Sequence, residues 1–140
     1  MSAQAVLLPV FVLIGLAFAL LLGMATMRTE TLKSGETPIK DIALGQSNWP
    51  LRTTQIGNCF SNQFEVPVLF YLLCTLLSIT KLTTMFLLAC AWGFVTLRCF
   101  HAYIHLTHNT VIRRFQTFLA GSFVLFVMWV AFAVRLIQIG

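Results

Sequence analysis

Polar side chains interrupt an apolar stretch of this sequence between residues 58 and 71, NCFSNQFEVPVLFY. Asn58, Asn62 and Glu65 are separated by four and then three residues, a spacing that places all three on one face of a helix. A carboxylate within a membrane-spanning helix costs about 2.5–3.5 kcal/mol when nothing compensates its charge. We therefore expect Glu65 to have a partner at its own depth, either a cation of the protein or a polar ligand.

A second polar face follows in the next apolar stretch, LRCFHAYIHL, where Arg98, His101 and His105 are spaced by three and then four residues. If the two stretches form an antiparallel hairpin that turns near Lys81, each polar residue of the first face lies level with one of the second. The expected pairs are Glu65 with Arg98, Asn62 with His101 and Asn58 with His105. The acid would then be compensated by a guanidinium.

These polar residues are more numerous than one ion pair needs. Two further arginines, Arg113 and Arg114, follow at the same predicted end of the helices, and guanidinium groups bind carboxylates and other anions through paired N–H donors. The cluster is thus suited to a polar, anionic ligand that enters from that end. An alternative stays open, because an intramembrane Glu–Arg pair with neighbouring amides also holds helices or subunits together without any ligand.

Other kinds of chemistry find little support in the residues. His101 and His105 could coordinate zinc from one helix face, but no third ligand stands at a useful spacing, so no metal is expected. The four cysteines form no C-x-x-C pair and are interpreted as small buried hydrophobic residues. No Ser/His/Asp arrangement, phosphate-binding loop or dinucleotide fingerprint occurs, and a transporter would need an inverted repeat that the sequence lacks.

Composition indicates the elements that must position these side chains. Of 140 residues, 59% are hydrophobic and 9% are charged, whereas a soluble domain carries about 25% charged residues. This deficit favours an integral membrane protein with a single domain, residues 1–140. The net charge of +5 comes from scattered Lys and Arg rather than from a basic stripe, so a nucleic-acid partner is not expected.

The predicted fold class is all-α, a bundle of four transmembrane helices. The apolar runs place these helices at about 5–27, 56–80, 82–106 and 115–139, with a polar loop at 28–55. The first run is interpreted as a retained helix rather than a signal peptide, because no Lys or Arg precedes it and it exceeds the usual length. Pro67, within the second run, removes a backbone hydrogen bond and is expected to kink the helix beside the polar cluster.

Basic residues predict the orientation of the bundle. Four spans put both termini on one side of the membrane, and most of the basic residues stand on the other. They are Arg28, Lys33, Lys40, Arg52, Arg113 and Arg114. Because loops rich in Lys and Arg stay in the cytoplasm, the first and third connections are expected to be cytoplasmic and both termini non-cytoplasmic.

The segments NCFSNQFEVPVLFY and LRCFHAYIHLTHNTVIRRF resemble the MAPEG family, the membrane-associated proteins in eicosanoid and glutathione metabolism, and especially its short bacterial members. The resemblance covers nearly the whole chain: four spans, a long first cytoplasmic loop, Asn-x-x-Glu early in the second span and an arginine late in the third. It implies a homotrimer of four-helix subunits in the bacterial inner membrane. It also implies that glutathione binds between neighbouring subunits, facing the cytoplasm, and that a lipophilic small molecule reaches it from the membrane lipid.

The same resemblance implies roles for individual residues. Arg114 matches the arginine that activates the glutathione thiol and is the expected catalytic residue. Asn62, Glu65, Arg98 and Arg28 match glutathione-binding positions of the family and are expected to bind glutathione. The spacing of the polar cluster adds Asn58, His101, His105 and Arg113 as expected binding residues. The chain departs from the family's enzymes where Asn58, His105 and Phe115 stand in place of an arginine, a tyrosine and a hydroxyl residue. The expected activity is that of a glutathione-dependent transferase or peroxidase; the alternative is a non-catalytic membrane protein whose cluster serves assembly or binds a lipid headgroup.

Overall fold

The computed structural model describes residues 3–45 and 48–139 of the chain. Within that part the regular secondary structure is helical, and four helical segments are long and apolar enough to cross a membrane. They are Gln4–Lys33, Leu51–Thr80, Met85–Leu106 and Val111–Gln138. The predicted all-α fold with four membrane spans is confirmed.

The first span begins with a 3-10 turn, Ala3–Val6, and continues as helix α1, Leu7–Lys33. It passes the expected boundary at residue 27 because the polar sequence that follows, RTETLK, still contains good helix formers. The helix ends before Gly35, whose φ of 75° lies in the left-handed region. Glycine adopts this conformation without the steric clash that a Cβ atom would cause.

The polar loop after α1 is shorter than the sequence predicts. It covers residues 34–50 rather than 28–55, and it contains one 3-10 turn, Ile39–Asp41, within its described part. Pro50 directly precedes the next helix. Proline is tolerated there because the N–H groups at the start of a helix have no partner within that helix.

The second span consists of two helices, α2, Leu51–Ser61, and α3, Val66–Thr80. Between them lie a 3-10 turn, Asn62–Phe64, and Glu65, whose φ of −95° and ψ of −109° are outside the helical range. Pro67 explains this break, because proline has no N–H for the carbonyl four residues earlier and its ring clashes with that carbonyl. The kink expected at Pro67 is therefore present as an interruption of the helix.

A short turn joins α3 to α4, Met85–Leu106. Lys81 ends α3 in the left-handed conformation, with a φ of 58°. Thr84 then caps α4, since its hydroxyl oxygen accepts the backbone N–H of Leu87 at 3.2 Å. The turn reverses the chain, and the contacts of Asn62 with Arg98 and of Phe70 with Phe94 show that the second span runs antiparallel to α4.

The two remaining connections lie at one end of the bundle. Residues 107–110 join α4 to α5, Val111–Ile139, and residues 34–50 join α1 to α2. The guanidinium of Arg52, in the first turn of α2, donates to the carbonyl oxygen of Leu106 at 3.0 Å. Because this contact brings the start of α2 to the end of α4, both connections share one end, which we call the loop side.

The hydrophobic core lies between α4 and the helices around it. Phe70 of α3 stacks on Phe94 of α4 with ring centroids 4.6 Å apart, and both are fully buried. Leu13 of α1 and Met128 of α5 complete the same cluster. The outer faces carry exposed aromatic residues such as Phe123, as suits helices surrounded by lipid.

Candidate functional site

The guanidinium of Arg98 lies between α4 and the break in the second span. Arg98 is 2% exposed, and its Nη2 donates to the carbonyl oxygen of Asn62 at 2.7 Å. Glu65 is exposed and forms no salt bridge with Arg98 in the part of the chain that the structure describes; its charge acts on Arg98 only through space. The predicted Glu65–Arg98 ion pair is therefore not formed, and a backbone carbonyl takes the place of the carboxylate.

Nearer the loop side, the contact between the second span and α4 also differs from the predicted one, and it is shifted in the same direction along the second span. The side-chain amide of Gln55 donates to the carbonyl oxygen of His105, where the sequence predicts Asn58 as the partner. For both Arg98 and His105, the observed partner stands three positions earlier than the predicted one. The prediction assumes two straight helices with equal rise, and the break at residues 62–65 bends the second span away from that geometry.

The break also changes which side chain of the second span faces the core. Gln63 is fully buried, and its Nε2 donates to the carbonyl oxygen of Cys59 at 3.1 Å. Its Oε1 is buried without a partner among the described residues. Counting along a continuous helix misses Gln63; the available signal is Pro67, four residues later, which deprives the carbonyl of residue 63 of its helical donor.

A cavity of about 230 Å³ lies on the loop side, between the break, α4 and α5. Its lining combines three polar residues with three apolar ones, and we call it the Arg114 cavity. The lining residues are Asn62, His101, Arg114, Val111, Phe115 and Phe118. A lining of both polar and apolar side chains suits a site where a polar reactant meets a lipophilic one.

His101 is held in one tautomer by the first turns of α5. It is 4% exposed, and its Nδ1 lies 3.0 Å from the carbonyl oxygen of Arg114 and 3.3 Å from the hydroxyl oxygen of Thr117. A carbonyl oxygen only accepts hydrogen bonds, so Nδ1 carries the hydrogen. In the neutral ring Nε2 is then an acceptor, and within the described ranges it is buried without a partner.

The guanidinium of Arg114 is oriented by a neutral group. Its Nη1 donates to Oδ1 of Asn109 at 2.6 Å. Throughout the described ranges, no carboxylate is bonded to Arg114 and its Nε is buried without a partner, so its positive charge is not neutralised. Arg113, the neighbouring residue, is exposed and does not line the cavity.

His105 lies one turn of α4 closer to the loop side than His101. It is 1% exposed, and the two imidazole rings are 6.0 Å apart with their planes at 85°. Among residues 3–45 and 48–139, no group of three His, Cys, Asp or Glu side chains is arranged to hold a metal ion. His105 does not line the Arg114 cavity, so of the two histidines only His101 forms part of its wall.

Arg28 and Asn58 lie in a different cavity of about 300 Å³, formed by the end of α1, the loop at 34–50 and α2. The guanidinium carbon of Arg28 is 4.9 Å from the centre of the Trp49 ring, a cation–π contact. Gly57 permits the close approach, since a Cβ atom there would lie 3.3 Å from Nη2 of Arg28. We call this the Arg28 cavity. Within one chain, two of the predicted site residues line this cavity and three line the Arg114 cavity. The other four, Glu65, Arg98, His105 and Arg113, line neither of these two cavities.

The MAPEG family model matches residues 6–134. The chain belongs to the MAPEG family. With four helices able to cross a membrane, it is an integral membrane MAPEG protein, and the resemblance that the two sequence segments carry is confirmed. No curated protein and no solved structure matches the chain.

Two residues that contact the predicted site of this MAPEG protein are missed by sequence reasoning. Asn109 orients Arg114, and its φ of 48° is left-handed. Asparagine is the commonest choice after glycine for a left-handed residue behind a helix, so the signal for its backbone exists, although not for its side-chain contact. Trp49 stands in an irregular loop, where no spacing rule predicts that its ring lies over Arg28.

Proposed function

We propose that this MAPEG protein is a glutathione-dependent transferase or peroxidase that acts on a lipophilic substrate at the cytoplasmic side of the membrane. The observation that carries this proposal is a pair of guanidiniums: Arg114 lines the cavity, and Arg98 donates to the carbonyl oxygen of Asn62, another lining residue. Neither is bonded to a carboxylate in the described part of the chain. Because a buried charge without a counter-charge is unfavourable, such a site favours an anionic ligand, and glutathione offers a thiolate and two carboxylates.

In the proposed mechanism Arg114 binds the sulfur of glutathione. Its positive charge stabilises the thiolate, lowers the pKa of the substrate thiol and raises the fraction present as nucleophile. Asn62, Glu65 and Arg98 position the peptide part. The apolar side chains that line the Arg114 cavity admit the lipophilic substrate, and holding both reactants in contact supplies much of the rate enhancement.

We also propose that the functional unit is a homotrimer in which the Arg114 cavity of one subunit and the Arg28 cavity of its neighbour form one site. The division of the predicted residues between two cavities supports this arrangement. Glu65 supports it as well, because it is an exposed carboxylate midway along the Leu51–Thr80 span. Exposure of that carboxylate to lipid would cost about 2.5–3.5 kcal/mol, and a neighbouring subunit would remove the exposure.

The proposed location is the bacterial inner membrane, with the loop side in the cytoplasm. The basic residues near the loop side, among them Lys40 and Arg52, support this orientation. Lys40→Cys, introduced into a variant without the native cysteines, should resist a membrane-impermeant thiol reagent in intact cells. Labelling from outside would reverse the orientation.

The test of the activity is glutathione conjugation to a hydrophobic aryl halide in detergent. We expect Arg114→Ala to lower kcat/KM by about 100-fold or more, the usual effect of removing one donor that stabilises developing negative charge. Arg135→Ala is the matched control, because Arg135 is an exposed arginine of the same helix near its other end. Equal rates for wild type and Arg114→Ala would refute the catalytic role of Arg114. If wild type neither conjugates glutathione nor reduces a lipophilic hydroperoxide with it, the enzyme proposal is refuted.

The exposed position of Glu65 also favours a second function, in which the polar cluster serves assembly or binds a lipid headgroup without catalysis. Calorimetric titration of wild type with glutathione and the oligomeric state of Glu65→Gln distinguish the two. Heat of binding supports the enzyme. Loss of the oligomer in Glu65→Gln, together with no binding by wild type, supports assembly.

A further inference from the structure

Asn109 uses its backbone and its side chain for separate contacts at the turn between α4 and α5. Its φ is 48°, and its N–H donates to the carbonyl oxygen of Ile104 at 2.7 Å, which closes the end of α4. Its side-chain Oδ1 accepts from Nη1 of Arg114 at 2.6 Å. The same residue thus shapes the turn that begins α5 and fixes the guanidinium that borders the Arg114 cavity.

We propose that Asn109 is the positioning residue of Arg114, and that its neutrality is as necessary as its hydrogen bond. The amide oxygen orients the guanidinium without neutralising it, so the full positive charge stays available to the thiolate. This inference rests on the proposed function, because it assigns to Asn109 the preparation of the group that holds the sulfur.

Three requirements meet at this position, and few residues satisfy all of them. The left-handed backbone is strained for most side chains and tolerated by glycine, asparagine and aspartate. Glycine has no acceptor for the guanidinium. Aspartate has one, but its negative charge would pair with Arg114 and reduce the attraction for a thiolate. Asparagine alone of the three combines the backbone, the acceptor and the absence of charge.

Within residues 3–45 and 48–139, no carboxylate is bonded to Arg114 and already neutralises its charge. The other residues that line the Arg114 cavity are Asn62, His101, Val111, Phe115 and Phe118, and His101 is the titratable one among them. None of them carries a carboxyl group, and none bonds the guanidinium within the described residues. A carboxylate at position 109 would therefore introduce a negative charge in direct contact with Arg114.

Two substitutions that keep the backbone conformation test the inference. Asn109→Gly removes only the acceptor, so kcat/KM should fall about tenfold through loss of orientation, while the unfolding temperature stays that of wild type. Asn109→Asp keeps the acceptor and adds a charge, so the apparent pKa of the glutathione thiol in the pH–rate profile should rise by about one unit. The sign follows from the charge: a weaker positive field favours the protonated thiol, and activity lost near neutrality returns as the pH rises.

The outcomes separate this inference from the proposed function. If wild type conjugates glutathione and both variants retain its rate and pH profile, the inference is overturned while the proposed function stands. A fall in activity of Asn109→Gly that accompanies an equal fall in unfolding temperature assigns Asn109 a purely structural role and also overturns it. If wild type itself is inactive, the proposed function fails and the inference fails with it.

Discussion

Arg98→Met removes a buried cation while keeping a long side chain in its place. Arg98 is 2% exposed, and among the described residues its Nη2 donates to the Asn62 carbonyl while its Nε is buried without a partner. Methionine is apolar and flexible and fills irregular spaces in a core. The substitution therefore deletes the charge and the hydrogen bond with little loss of packing.

Two contributions of opposite sign determine the stability of Arg98→Met. Loss of a hydrogen bond made by a charged group lowers the free energy of unfolding by about 1.5–3 kcal/mol. Removal of the buried ion recovers a desolvation penalty of several kcal/mol, which exceeds the contribution of the lost hydrogen bond. We expect a net gain of about 1–2 kcal/mol, together with at least about tenfold weaker binding of glutathione, because a charge-assisted contact is lost.

The free energy of unfolding is measured by titration with sodium dodecyl sulfate in mixed micelles, and glutathione affinity by calorimetry. Arg135→Met is the control, since Arg135 is exposed and its loss should change neither quantity. If Arg98 instead serves to hold the assembly by pairing with a carboxylate, its removal leaves a buried acid uncompensated, which destabilises by about 3–5 kcal/mol. Destabilisation of that size with unchanged glutathione affinity would refute the ligand-binding role of Arg98.

Two further predictions use the same unfolding titration. Phe70→Ala should destabilise by about 3–5 kcal/mol, because Phe70 is fully buried and stacked on Phe94. Leu72→Ala, at a site 49% exposed, is the control and should have a much smaller effect. Equal effects of the two substitutions would place Phe70 outside the core. Lys81→Gly should stabilise by roughly 1 kcal/mol. Lys81 has a left-handed φ of 58°, which costs a non-glycine residue about 1–2 kcal/mol. Relief of this strain is partly offset because glycine has more chain entropy in the unfolded state. Destabilisation by Lys81→Gly would show that the lysine side chain stabilises the turn.

Long apolar runs in the sequence predict the four spans, but they predict poorly where each helix begins and ends. Hydrophobicity reports where lipid surrounds a helix, whereas a helix continues for as long as its hydrogen bonds and local propensities allow. α1 therefore continues through a polar segment to Lys33, and α2 begins at Leu51, ahead of the apolar run expected from residue 56. The apolar runs therefore predict the number of spans, whereas the ends of the helices depend on hydrogen bonding and helix propensity, which hydrophobicity does not report.

The candidate site is predictable where it depends on one regular helix. Arg98 and His101 share a face of α4, and both are buried toward the bundle as their spacing indicates. Glu65 is different, because its direction depends on the break caused by Pro67, which a helical-wheel count ignores. Asn109 and Trp49 contact their arginines from irregular segments, where side-chain direction follows from the particular turn and not from a repeating period.

The break in the second span has an electrostatic consequence for the cavity behind it. A straight helix would have placed Glu65 against Arg98, and the resulting pair would have been neutral. In the observed structure Arg98 donates to a backbone carbonyl and Arg114 to an amide, so both guanidiniums are oriented by uncharged acceptors. A cluster that only held helices together would be stabilised by pairing its arginines with carboxylates of the protein. Within the described residues, neither Arg98 nor Arg114 is bonded to a carboxylate. Uncompensated positive charge on a site lined partly by apolar side chains is what an anionic nucleophile and a lipophilic partner require, and it is the physical ground for preferring the ligand-binding function over assembly alone.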